Sequence, residues 1–217
     1  MPIAEKAVEM NPHNAQIYGV LVDAYVELGD YAKAVEMSDK MISIRPDLRS
    51  YARVSYLREI HGDVTGAIEA MEQAVASGYP GYEDKAWAQV TLAELHKTYG
   101  NLEQAEKHFQ IAMQERRDYP FAIAGLADVE MEKGNYEAAE TLLEKACAII
   151  PEFSFYEQLA TLYQATGREG QAKETIEEIL LMLEDDEANG HNMTMEFAAL
   201  HLHYTGDYEK ALEYAMK

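Results

Sequence analysis

Apolar residues return along this chain every three or four positions, in runs that a glycine breaks and the next residues restart. Ile17, Tyr18, Leu21, Val22 and Tyr25 form one stripe, and Ala34, Val35, Ser38, Met41 and Ile42 form the buried face expected of the next. Such spacing places the apolar groups on one side of an α-helix. Gly29 sits where the first run stops, and glycine is the residue best able to take the left-handed conformation just past a helix end. Asp30 follows as an N-cap for the second run. Pro46 closes that run, because its ring and missing N–H cannot continue a helix.

The same order of helix, glycine turn, helix recurs down the chain. Gly29, Gly62, Gly100, Gly134, Gly167 and Gly206 form one column, and Ala34, Ala67, Ala105, Ala139, Ala172 and Ala211 form another, five residues behind. Both columns share the spacings 33, 38, 34, 33 and 39. A period near 34 residues marks a repeat architecture, in which each helix pair buries its apolar face by stacking on its neighbours. The alanine column predicts a close helix crossing, where only a methyl group fits. The expected fold is all-α: a right-handed superhelical solenoid of antiparallel helix-turn-helix repeats in a single domain over 1–217. Its parts would be a partial repeat at 1–14, full repeats near 15–47, 48–81, 86–119, 120–151 and 152–187, and a shortened repeat at 192–217. The two long steps put extra residues at Gly78–Asp84 and Glu184–Gly190, both expected as loops between repeats. The chain opens and closes within second helices, so it reads as cut from a longer protein.

In this grammar the chain resembles the tetratricopeptide repeat family. Tyr18, Leu21, Tyr25, Ala34 and Pro46 match that family's pattern in the first full unit, and Tyr156, Leu159, Ala160, Tyr163 and Ala172 match it in the fifth. Arg58, His96 and Glu130 stand where tyrosine is usual, and Ser38 where an aromatic is common. The resemblance implies that first helices line a concave groove and that the protein is a non-enzymatic scaffold holding a peptide or protein partner there. Carried onto this sequence, groove positions include Arg49, Arg53, Tyr56, Trp87, Glu94, Phe121, Asp128 and Phe197.

Among these, Trp87, Phe121 and Phe197 are candidates for peptide pockets, since aromatics are enriched among binding hot spots. The alternative for each is packing against the next repeat. Arg49 and Arg53 lie four residues apart and share a helix face. They would either clamp a carboxylate or form ion pairs with Asp23 or Glu27 on the adjacent helix.

Composition narrows the partner. With 39 acidic and 18 basic residues the net charge is −21, a field that repels a phosphate backbone and speaks against nucleic acid. Basic peptide or protein surfaces are its natural complement. No run reaches the roughly 18 apolar residues of a membrane span. The one cysteine, Cys147, precludes an intrachain disulfide and lies in an apolar stretch that predicts an inert thiol. The compartment stays open, with the cytoplasm marginally ahead of the periplasm.

His201 and His203 are two apart on an expected helix and point away from one another, and no metal-ligand spacing or EF-hand pattern is present. Nor is there a phosphate-cradling loop or a paired nucleophile and base. The expectation is therefore no catalytic, cofactor or metal site. Rivals to groove binding are self-assembly through the convex face or the ends of the stack, the latter using Val8, Met10, Leu212 and Met216, and service as an accessory domain of a larger protein.

Overall fold

The structure, a computed structural model, describes residues 2–217. Among the described residues it is built of helices and turns, with no strand. A short helix α1 (Pro2–Met10) precedes paired helices: α2 (Ala15–Glu27) with α3 (Tyr31–Ile44), α4 (Leu48–Ile60) with α5 (Val64–Ser77), and α6 (Glu83–Thr98) with α7 (Leu102–Glu115). Then come α8 (Pro120–Glu132) with α9 (Tyr136–Ile149), α10 (Phe153–Ala165) with α11 (Glu169–Ala188), and α12 (Thr194–Leu200) with α13 (Tyr208–Ala215). The all-α helical-repeat solenoid expected from the two columns is borne out. The chain forms two compact units, the first ending at Ala122 and the second beginning at Ile123. No helix among the described residues is long and apolar enough to cross a membrane.

The glycine column ends helices in a shared way. At Gly29, with φ of 71°, the Gly29 N–H donates to the Val26 carbonyl and the Asp30 N–H reaches back to that of Tyr25, both at 2.9 Å. That pair of bonds is the Schellman closure of a helix C-terminus. It recurs at Gly62, Gly100, Gly134 and Gly167. Gly206 departs from it, because α12 widens into a π-helical turn over His201–Thr205 before the glycine.

Next in each turn comes the N-cap of the following helix. Asp30, Asp63, Asn101 and Asp207 each accept from the backbone N–H three residues on, which satisfies a donor the helix itself cannot. The alanine column is buried throughout, with Ala34, Ala67, Ala105 and Ala139 at 0% exposure.

A further column stands four residues before each of the first five glycines, and its members bond or stack across the turn by varied chemistry. Tyr25 lies under the Lys33 ammonium, 5.2 Å from ring centroid to Nζ. Arg58 donates to the Gly66 carbonyl at 3.0 Å. His96 stacks on His108 with centroids 5.3 Å apart. Glu130 accepts from Lys133 at 2.9 Å and from Asn135 at 2.8 Å. Tyr163 stacks against the Arg168 guanidinium at 4.6 Å, and that group also bonds Glu140 at 2.8 Å.

Two expectations about helices need correction. Val35 is exposed on α3, and Met37 packs inward in its place, against Val22, Ala34 and Leu57. Glu184–Ala188 is the last turn of α11 rather than a loop, since nothing there breaks a helix and Ile179 and Leu183 continue its buried stripe. Gly190, with φ of 95°, is where that helix stops. The other insertion is a loop as expected, over 78–82, and α6 begins at Glu83.

Candidate functional site

Within the first unit, α4 and α6 each turn one face toward a shared cavity of about 790 Å³. From α4 come Arg49, Ala52, Arg53, Tyr56 and Glu59, and from α6 come Glu83, Asp84, Trp87, Thr91 and Leu95. Steps of three and four residues in both sets put the groups on a single stripe of each helix. Asp23 on α2, Tyr119 just before α8 and Phe121 in its first turn complete the rim. Leu48, Ala52, Met71 and Leu95 form an apolar floor, and they belong to one buried cluster with Ala74, Ala88 and Leu92. Ser55, buried in that floor, donates to the Ala67 carbonyl at 2.7 Å.

Three large aromatics open onto this space. Tyr56 is 50% exposed, Trp87 46% and Phe121 39%. Phe121 tilts against the buried Tyr119 with centroids 5.6 Å apart, and burial, reinforced by Glu83, holds the Tyr119 phenol above its usual range. Just before Tyr119, Asp118 has φ of 57°. This left-handed conformation is rare outside glycine but tolerated by aspartate, and it redirects the chain from α7 toward the rim.

The charges around the rim are mostly matched. Arg53 grips Asp23 through both arms of its guanidinium, Nε to Oδ1 at 2.8 Å and Nη2 to Oδ2 at 2.6 Å. Gly19 leaves room for this pair, since a methyl there would lie 3.3 Å from the Arg53 Cζ. Arg53 is thus engaged with the adjacent helix rather than held open as a carboxylate clamp. Arg116 pairs with Glu83 at 3.4 Å. Glu59 accepts from the Tyr99 hydroxyl at 3.3 Å. Arg49 is exposed and has no ion-pair partner among the described residues.

Of the residues that sequence pointed to, Arg49, Arg53, Tyr56, Trp87 and Phe121 meet at this cavity. Glu94 does not line it; half-buried on α6, it pairs with Lys97 at 2.7 Å. Asp128 lies in the second unit, half-buried on α8. Phe197 is also in the second unit and is 2% exposed, stacked on Tyr214 with centroids 4.8 Å apart. A groove-facing aromatic at Phe197 is therefore a correction: the ring is buried in the core cluster with Ile179, Leu183 and Leu200. Tyr119 and the floor residues Leu48, Met71 and Leu95 were missed. A tyrosine directly before Pro120, between two helices, was the available signal for Tyr119.

Other chemistry is sparse. Burial, with Glu178 and Glu144 nearby, pushes the half-buried Cys147 thiol up to about 11, so it is protonated at neutral pH. His201 is buried and His203 exposed on the π-helical turn, on opposite sides as spacing required. Among the described residues no group of three or more His, Cys, Asp or Glu is gathered as a metal site.

A tetratricopeptide repeat family model matches residues 1–58 and 98–152. No curated protein matches the chain in sequence. Among solved structures, PilW, a widely conserved type IV pilus biogenesis factor, is similar with a TM-score of 0.67 at 19% identity, over 81% of each chain. A tetratricopeptide repeat protein from Parabacteroides merdae ATCC 43184 has a TM-score of 0.67 at 18% identity, over 99% of this chain and 90% of that one. YrrB, a TPR protein with an unusual peptide-binding site, has a TM-score of 0.53 at 14% identity, over 82% of this chain and 90% of that one. These likenesses show the fold, and the matched residues show the lineage. The chain belongs to the tetratricopeptide repeat family, whose fold serves as a protein–protein interaction scaffold.

Proposed function

We propose that this protein is a non-enzymatic scaffold that holds a segment of a protein partner in the first-unit cavity. The observation that carries this reading is the convergence of Tyr56, Trp87 and Phe121, all partly exposed, on one apolar-floored space of about 790 Å³. Aromatic anchors around a concave apolar site are the usual makings of a binding hot spot. The net charge of −21 favours a basic partner and opposes nucleic acid. YrrB, similar in fold, is a precedent for peptide binding within this architecture.

Panning a displayed random-peptide library on the whole chain tests the proposal. Selected peptides should lose about tenfold or more in affinity on Trp87→Ala or Phe121→Ala, the scale of a hot-spot residue. Leu212→Ala, outside the cavity, should leave them unchanged. Peptides indifferent to both cavity substitutions would refute the site.

A second reading has its own observation. Met10, Leu212 and Met216 are 79%, 64% and 80% exposed on α1, α13 and its end, and such apolar groups favour self-association. Val8, half-buried against Ala15, Tyr18 and Met41, is not available for it. Light scattering across a concentration series separates the readings, since only self-assembly predicts a mass that rises and that Leu212→Glu restores to monomer.

A further inference from the structure

Resting on the reading of the first-unit cavity as a peptide site, we propose that its principal occupant is one basic side chain, arginine or lysine, of the bound peptide. The balance of partnered and unpartnered charge around the cavity is the first ground. Asp23 and Arg53 neutralise one another bidentately, and Glu83 is held by Arg116 at 3.4 Å. Glu59 and Asp84 have no cationic partner among the described residues, against the single unpaired cation Arg49. Glu59 receives one long hydrogen bond, 3.3 Å from the Tyr99 hydroxyl, which leaves most of its acceptor capacity open to a donor.

The aromatic wall is the second ground. Trp87 and Tyr56 leave about half of their surface uncovered, at 46% and 50%. The face of an aromatic ring attracts a cation through its quadrupole, tryptophan most strongly. Long basic side chains also carry an aliphatic stem that lies well on an apolar floor while the charged head reaches polar groups. A carboxylate entering the same space would gain Arg49 and meet repulsion from Glu59 and Asp84. A purely apolar anchor would strip water from those two carboxylates and give them no donor in return. At longer range the chain's charge of −21 draws a positively charged ligand.

Trp87 is the sole tryptophan, so its fluorescence reports directly from the cavity. Four capped hexapeptides, Ac-Ala-Ala-Leu-Xaa-Ala-Ala-NH2, are titrated against the whole chain with Xaa as arginine, citrulline, glutamate or phenylalanine. Citrulline keeps the shape of arginine and removes its charge. Arginine should shift the emission at about tenfold lower concentration than citrulline, the scale of a partly desolvated cation–π contact. Glu59→Gln with Asp84→Asn should erase most of that advantage, and raising the salt should shrink it. Equal titration by arginine and citrulline would overturn the proposal, as would a preference for glutamate or phenylalanine. In those cases the cavity remains a peptide site. Silence from all four peptides would count against both readings.

Discussion

Arg53 on α4 and Asp23 on α2 form a bidentate pair, 2.8 and 2.6 Å across two bonds, at the rim of the first-unit cavity. The pair joins two neighbouring first helices on the side where a partner would bind. It fixes one wall of the cavity and removes one of two arginines from direct recognition. Arg49, one turn earlier, is left as the exposed cation.

Because the Asp23 side chain is 56% exposed and that of Arg53 29%, solvent screens the pair. A double-mutant cycle with Asp23→Ala and Arg53→Ala, read by urea melts, should give a coupling of about 0.5–1 kcal/mol. A coupling near zero would mean that the pair is not held in solution.

Ala105 is fully buried where α7 meets α6. Ala105→Leu should destabilise by about 1–3 kcal/mol through overpacking. A neutral result in thermal melts would show that the alanine column is not a close crossing.

His96 and His108 stack between α6 and α7, and the buried Gln89 amide hydrogen-bonds His108 Nδ1. Burial first, then the neighbouring His96 and Lys107, lowers His108 to about 4. His96 is lowered too, mainly by burial, with Lys107 adding to the shift and Glu72 opposing it. Both groups bind protons more weakly folded than unfolded, so acid favours the unfolded chain. From these two groups, stability should be level above about pH 7, fall as the pH drops below the unfolded histidine value near 6.5, and level off near 4 for His108. His108→Gln should flatten the urea midpoint between pH 7 and 5 relative to the parent; an unchanged slope would contradict the assignment.

Glycines inside and outside the turn column should respond with opposite sign. Gly100 has φ of 81°, so Gly100→Ala should cost about 1–2 kcal/mol of left-handed strain. Gly170, in the first turn of α11, meets no atom within 4 Å of an added methyl. Gly170→Ala should stabilise by about 0.4–1 kcal/mol by restricting the unfolded chain. Thermal melts of both variants check this, and a destabilised Gly170→Ala would contradict the open surroundings.

Periodicity made the repeat legible because glycine stops and buried alanines are local demands that leave one residue type each. The cavity was legible in part. Tyr56, Trp87 and Phe121 were found because the family's register gives the face of each first helix. The partner of Arg53 was open between Asp23 and Glu27, since choosing needs the rotation of α2. For Phe197 the spacing leaves groove and core both open, and the choice falls to the core because the Tyr214 ring of α13 stacks on it. The tail of α11 was misread because a run of acids looks like a solvated connector, whereas its spacing still serves Ile179 and Leu183.

Chemical-shift mapping by NMR, with a peptide selected on the whole chain, reads occupancy of the first-unit cavity residue by residue. The single indole resonance of Trp87 should move, together with the amides of Arg49, Tyr56 and Thr91. Shifts confined to the neighbourhoods of Met10, Leu212 and Met216, with the Trp87 indole unmoved, would contradict that occupancy.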